Sequence, residues 1–173
     1  ANVEIFPKAK IGMSPTIENG FYYEFDDLKI TDADLPGVEK RMRDLIKKDL
    51  KFKKETILPA QVKKLFADQP YKLELIKDLQ KNKKPITIYI NTGTSDVPNI
   101  NAGKNIRTSD VQKLNSIFID LCAGPHVKST KEINPDSFKL TKTSGAYWKG
   151  DEKNKMLTRV YGLAFSTKNE LDE

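Results

Sequence analysis

The chain has one cysteine, one histidine and one tryptophan in 173 residues. A single cysteine excludes an intramolecular disulfide and carries no mark of an oxidising compartment, so the sequence reads as intracellular, with a cytoplasmic location expected. No stretch approaches the roughly 20 apolar residues that a membrane-spanning helix needs. The opening residues "ANVEIFPKAKIG" lack the basic, apolar and small-residue order of a secretory signal. Two soft ligands are too few for a closed structural zinc site, which takes four, so no tightly bound metal is expected.

Other features are well represented. Apolar residues make up 38% and charged residues 31%, which fits one soluble globular domain spanning 1–173. Thirty Lys and Arg against 24 Asp and Glu leave a charge of +6, an excess that permits a polyanionic partner such as RNA without requiring one. "FYYEF" at 21–25 reads as a strand, because aromatics favour a half-buried pleated surface. In "DADLPGVEKRMRDLIKKDL", 32–50, Leu35, Val38, Met42, Leu45 and Ile46 recur at helical spacing. Asp34 is the expected N-cap there, and Pro36 sits in the first turn, where its missing N–H costs little. A second helix is expected over 59–68, while "YKLELIKDL" after Pro70 suits helix or strand. "ITIYI" (86–90) and "SIFID" (116–120) read as strands, and the Asn-, Ser- and Gly-rich 91–115 as a long loop insertion. "FKLTKTSGAYW" and "MLTRVYGLAF" form two strands joined by the polar "KGDEKNK". Thr167 and Glu170 have capping-box spacing, starting a helix over 167–173. The class expected is α+β, a mainly antiparallel sheet with helices packed on one side.

The lone cysteine and lone histidine stand four apart in "DLCAGPHV", 120–127. A strand running into a Gly-Pro turn would present Cys122 and His126 to a common space, with Asp120 beside them. Three chemistries suit them: an incomplete metal site, a Cys–His nucleophilic pair, or a polar pocket in which a water reacts. The plain alternative is a buried thiol packing as a small hydrophobe, with His126 on the surface.

Three ordered motifs carry a resemblance. "IGMSPTIENGFYYEFD" resembles the IGPxIxNGFYYDF segment of threonyl-tRNA synthetases, and "DLCAGPHV" resembles their DxCxGPH motif. "FKLTKTSGAYWKGDEKNKMLTRVYGLAF" resembles the FKL…AGAYWRGDxxNxMLQRIYGxAF block that precedes the linker to the catalytic core. The resemblance runs from about residue 5 to the end, apart from 91–115, and implies the editing domain, the second additional domain of these enzymes. It implies that Cys122 and His126 line the editing pocket, with Asp120 the acidic position, Lys72 a substrate- or water-binding lysine and Tyr23 a tyrosine near the pocket. Tyr147 and Trp148 are candidates for stacking on the terminal adenine of tRNA, or for core packing. The family's HxxxH motif is missing from the chain, and its alignment falls just before Ala1, so the chain looks trimmed.

The implied partners are tRNA(Thr) and its seryl-charged acceptor end. The implied parent is a homodimer formed through other domains, using ATP, magnesium and a zinc in a separate catalytic core, with no cofactor in this segment. The implied reaction is hydrolysis of the ester joining serine to tRNA. Serine and threonine differ by one methyl, and a methyl discriminates by only about 10- to 200-fold, which is why a second, hydrolytic sieve is needed. Competing readings are a non-catalytic tRNA-binding module and an alanyl-type editing domain, which shares the CxxxH spacing.

Overall fold

The computed structural model describes residues 5–93 and 118–173. Along the chain run β1 (Lys10–Ile11), β2 (Thr16–Ile17), β3 (Gly20–Asp26), α1 (Leu35–Ile46), β4 (Lys51–Thr56), α2 (Pro59–Leu65), α3 (Pro70–Lys81) and β5 (Thr87–Thr92). They are followed by β6 (Phe118–Leu121), β7 (Phe138–Tyr147), β8 (Met156–Ala164) and α4 (Lys168–Asp172). Every strand pair in these sheets is antiparallel, and the fold is α+β as expected. Most of the expected 91–115 loop and the first residues of the 116–120 strand lie outside the described residues. The chain divides into two compact units, Ala1–Lys47 with Ile133–Glu173, and Lys48–Glu132.

The first unit holds a sheet of order β1-β3-β8-β7, with β2 added on β3. Period-2 alternation sends Phe21, Tyr23 and Phe25 to one face, where they meet Leu35 and Val38 of α1, Leu140 and Val160. The expected apolar stripe of α1 is therefore the face it buries. A carboxylate fastens that helix: Glu39 accepts the Leu140 N–H at 2.8 Å and pairs with Arg43 at 2.6 Å. Asp34 stands at the N-cap position of α1, as expected, but makes no side-chain cap bond there. Asp34 has helical backbone angles, and its carboxylate reaches back to accept the Thr31 N–H and hydroxyl, both at 2.8 Å, so the cap is built one turn earlier. On the opposite sheet face Glu24 is fully buried, and its Oε1 accepts from Arg159, whose guanidinium lies 4.0 Å from the Tyr22 ring centre. The β7–β8 hairpin forms as read, and α4 has its capping box, with Thr167 Oγ accepting from the Glu170 N–H at 3.3 Å.

The second unit holds a sheet of order β4-β5-β6. Ile88 and Ile90 of β5 pack without solvent exposure against Val62 and Phe66 of the α2 region and Ile76 of α3. Residues 70–81 are helical: Pro70 opens α3, and Tyr71, Lys72 and Ile76 are buried. The expected helix over 32–50 is corrected here, since it stops at Ile46 and the chain re-enters as strand at Lys51. Asp49 is the reason. It takes a left-handed backbone angle (φ 54), which a helix interior does not accommodate. Its carboxylate binds Lys51 at 2.8 Å, the Ser129 hydroxyl and Lys131 at 3.2 Å, and these partners hold it well below the usual carboxylate range.

Candidate functional site

Strand β6 delivers the motif. In the pairing with β5, Asp120 lies opposite Tyr89 and Leu121 opposite Ile88. Alternation therefore sends Ile119 and Leu121 to the apolar core with Ile88 and Ile90, and Asp120 to the other face with Tyr89. The ladder continues one residue past β6, where the Cys122 N–H donates to the Thr87 carbonyl at 3.1 Å and the Thr87 hydroxyl donates to the Cys122 carbonyl at 2.6 Å. The chain then turns through Gly124 (φ 75) and a cis Gly124–Pro125 bond, and crosses towards β4, where the Phe52 N–H donates to the Lys128 carbonyl at 3.0 Å. Lys54 of β4 fastens the crossing by donating its ammonium to the Ala123 carbonyl at 2.7 Å.

This turn brings Cys122 and His126 into contact, with His126 Nε2 3.2 Å from Cys122 Sγ. The sulfur also receives the Gly124 N–H at 3.4 Å. The imidazole is held by two rings. Phe52 stacks on it with centroids 5.7 Å apart and planes 18° apart, and Tyr89 meets it edge-on at 4.3 Å. Gly124 is required for this approach, because a methyl there would collide with the Tyr89 hydroxyl and the φ is left-handed. Burial of the ring pushes His126 below its ordinary value, and the nearby Asp120 carboxylate opposes that shift. The imidazole, which keeps an exposed edge, is thus less basic than an ordinary histidine.

Asp120 is itself engaged. Lys72 of α3, its side chain only 3% exposed, pairs with it at 2.6 Å. The Leu121 N–H adds a second donor to the same carboxylate at 2.7 Å. Four of the residues singled out from the sequence thus lie together in the second unit: Lys72 on Asp120, Cys122 on His126, and Asp120 near enough to act electrostatically on the ring. The other three lie in the first unit. Tyr23 stacks on Phe25 at 4.9 Å within the core face of β3. Trp148 is buried, and Tyr147 at 40% exposure is the accessible ring of that pair. Among the described residues no three His, Cys, Asp or Glu side chains gather as a metal site would require, and no helix is long and apolar enough to cross a membrane.

Sequence reasoning missed Phe52, Lys54, Thr87 and Tyr89. Alternation in "ITIYI" was the available signal for Tyr89, since it faces away from Ile88 and Ile90. The polar "KFKKET" carries no apolar period, so nothing in it marks Phe52.

Residues 105–161 match the family described as the threonyl and alanyl tRNA synthetase second additional domain. The match takes in the Cys122–His126 turn and most of the β7–β8 hairpin. Over nearly its whole length the chain corresponds to part of threonine–tRNA ligases. It is 44% identical to that of Thermotoga maritima across 94% of this chain and 21% of the ligase. It is 41% identical to that of Borrelia hermsii across 99% of this chain and 25% of the ligase. The ligase of Dehalococcoides mccartyi matches at 41% across the entire chain and 25% of its own length. The chain thus spans about a fifth to a quarter of the curated relatives it matches.

Proposed function

We propose that this domain edits mischarged tRNA, hydrolysing seryl-tRNA(Thr) by attack of water on the aminoacyl ester. The observation that carries the reading is the Cys122–His126 contact on the turn after β6, with the imidazole beside a carboxylate. A neutral imidazole takes a proton from the attacking water, and the resulting imidazolium is stabilised by the negative charge of Asp120. The tetrahedral intermediate then expels the ribose oxygen, which takes the proton held on His126, and the products are serine and free tRNA. Lys72 holds Asp120 in place for that task. Cys122 acts as a polar wall of the site and forms no covalent bond. Tyr147, exposed in the other unit, is the candidate for stacking on an unpaired base.

The family description covers threonyl and alanyl enzymes alike, but the relatives that match across the chain are threonine–tRNA ligases, which favours serine as the rejected residue. A cytoplasmic setting and a tRNA partner follow from that reading. The test is deacylation of seryl- and threonyl-tRNA(Thr) by the complete gene product and its His126→Ala variant. Faster hydrolysis of the seryl ester, slowed on the order of a hundredfold or more by the substitution, is expected for loss of a positioned general base. Equal rates for the two proteins would leave a tRNA-binding role in place of editing.

A further inference from the structure

We propose that Phe52 and Tyr89 are positioning residues for His126: together they lock the imidazole with Nε2 on Cys122 Sγ, so that Nδ1 is the nitrogen presented to the attacking water. The lock is geometric. One ring is nearly parallel to the imidazole and the other nearly perpendicular, at 18° and 84° between planes. A ring nearly parallel to the imidazole and a ring nearly perpendicular to it together restrict both its tilt and its rotation. Both come from the sheet, Phe52 from β4 and Tyr89 from β5, where pairing fixes them: Phe52 opposes Asn91, and Tyr89 lies between Lys54 and Asp120. The turn bearing His126 is pinned onto this face at Cys122, Ala123 and Lys128.

The tautomer follows from the sulfur. Sγ accepts the Gly124 N–H and lies 3.2 Å from Nε2, and in this proposal it is the acceptor there as well, with Nε2–H donating and the thiol proton directed elsewhere. A proton on Nε2 leaves Nδ1 with the lone pair, and so Nδ1 is the basic atom. Among the described residues, two charged groups stand out beside the ring and its turn. Asp120 of β6 is coupled to it and is itself paired with Lys72 of α3, while Lys54 of β4 is bound to the Ala123 carbonyl. The role assigned to the water rests on the editing reading, but the lock and the tautomer do not.

As the only histidine, His126 gives a single pair of imidazole signals, one for Nδ1 and one for Nε2, in nitrogen-15 NMR of this chain. The expected spectrum at neutral pH shows Nε2 protonated and Nδ1 bare, with a midpoint below the ordinary value of about 6.5. Phe52→Ala and Tyr89→Ala should each raise the midpoint and mix the tautomers, and Tyr89→Phe should recover most of the Tyr89→Ala change. In the complete gene product the two alanine variants should lower kcat for seryl-tRNA by about tenfold to a hundredfold while moving KM much less, as misplacement of a catalytic group does. Should either alanine variant fail to fold, Phe52→Leu and Tyr89→Leu remove the flat rings and keep apolar bulk, with the same direction expected. An Nδ1–H tautomer in the parent chain, or a titration unmoved by either folded variant, overturns the proposal. A lock that responds as expected in a protein that never hydrolyses seryl-tRNA supports the lock and sinks the editing reading instead.

Discussion

Replacing Asp120 by Asn keeps the shape and an acceptor but removes the carboxylate 2.6 Å from the Lys72 ammonium. At an effective dielectric of 20, two unit charges at that distance attract by about 6 kcal/mol. Desolvation offsets much of this, since Lys72 is 3% exposed and Asp120 14%. Removing one partner of a buried pair costs about 3–5 kcal/mol in general, and the partial exposure of Asp120 argues for the lower end, about 3 kcal/mol. For a chain of this length that lowers Tm by roughly 6–12 °C. The asymmetry of burial makes a second forecast. Lys72→Met leaves the more exposed carboxylate behind, so it should cost less than Asp120→Asn. The double variant should cost less than the sum of the two, because both charges are then gone. Urea unfolding of the four proteins forms a double-mutant cycle. Single costs that add to within about 0.5 kcal/mol would mean that the pair contributes nothing specific and would refute the reasoning. The same variant tests the link to the site. The Asp120 charge raises the His126 pKa, so Asp120→Asn should lower the imidazole midpoint further. An upward or absent shift would remove Asp120 from the account of the reacting imidazole.

Acid should weaken the fold through His126: its folded pKa is depressed, so the unfolded chain takes the proton first. Stability from this group is therefore complete above about pH 6.5 and is lost as pH falls through the lower folded value, by up to about 1.4 kcal/mol per pH unit. Urea midpoints of the parent and of His126→Gln between pH 7.5 and 5 should converge as pH falls, and parallel curves would contradict the shift. Arg159→Met, which withdraws the donor from the fully buried Glu24 carboxylate, should destabilise the first unit by about 3 kcal/mol in thermal unfolding, against about 1 kcal/mol or less for an exposed ion pair. Gly124→Ala should broaden or shift the His126 imidazole signal, because the added methyl displaces Tyr89, and an unperturbed signal would argue against the tight turn.

Much of this fold was legible because its strands and helices carry their own periods. "FYYEF" and "ITIYI" alternate, the α1 stripe recurs every three or four residues, and the β7–β8 block brackets a polar turn. Reading failed where local pattern and tertiary role part company. The residues of β4 are mostly charged, so no apolar period announces a strand, and the helical stripe upstream invites extension through them. What stops the helix is Asp49, whose carboxylate is held by Ser129 and Lys131 from a distant part of the sequence. Asp34 shows the same limit in a milder form. An aspartate before an apolar run suits an N-cap, and Asp34 takes that position, but its carboxylate accepts the N–H and the hydroxyl of Thr31 three residues earlier and makes no cap bond in α1.

The site divides along the same line. The spacing of Cys122 and His126 suffices to bring them together, because the turn between them is local. The spacing says nothing about which ring nitrogen meets the sulfur, which carboxylate tunes the ring, or which aromatic rings flank it. Those properties come from Phe52, Tyr89 and the Lys72–Asp120 pair, on four elements joined only by the folding of the sheet. Lys72 was legible only by family resemblance, since a lysine in an amphipathic helix ordinarily belongs to the solvated face. Its burial makes sense only once β6 has placed Asp120 within reach. A motif can thus mark where chemistry is possible, but the surroundings and orientation of the His126 ring are set by the sheet that the motif folds onto.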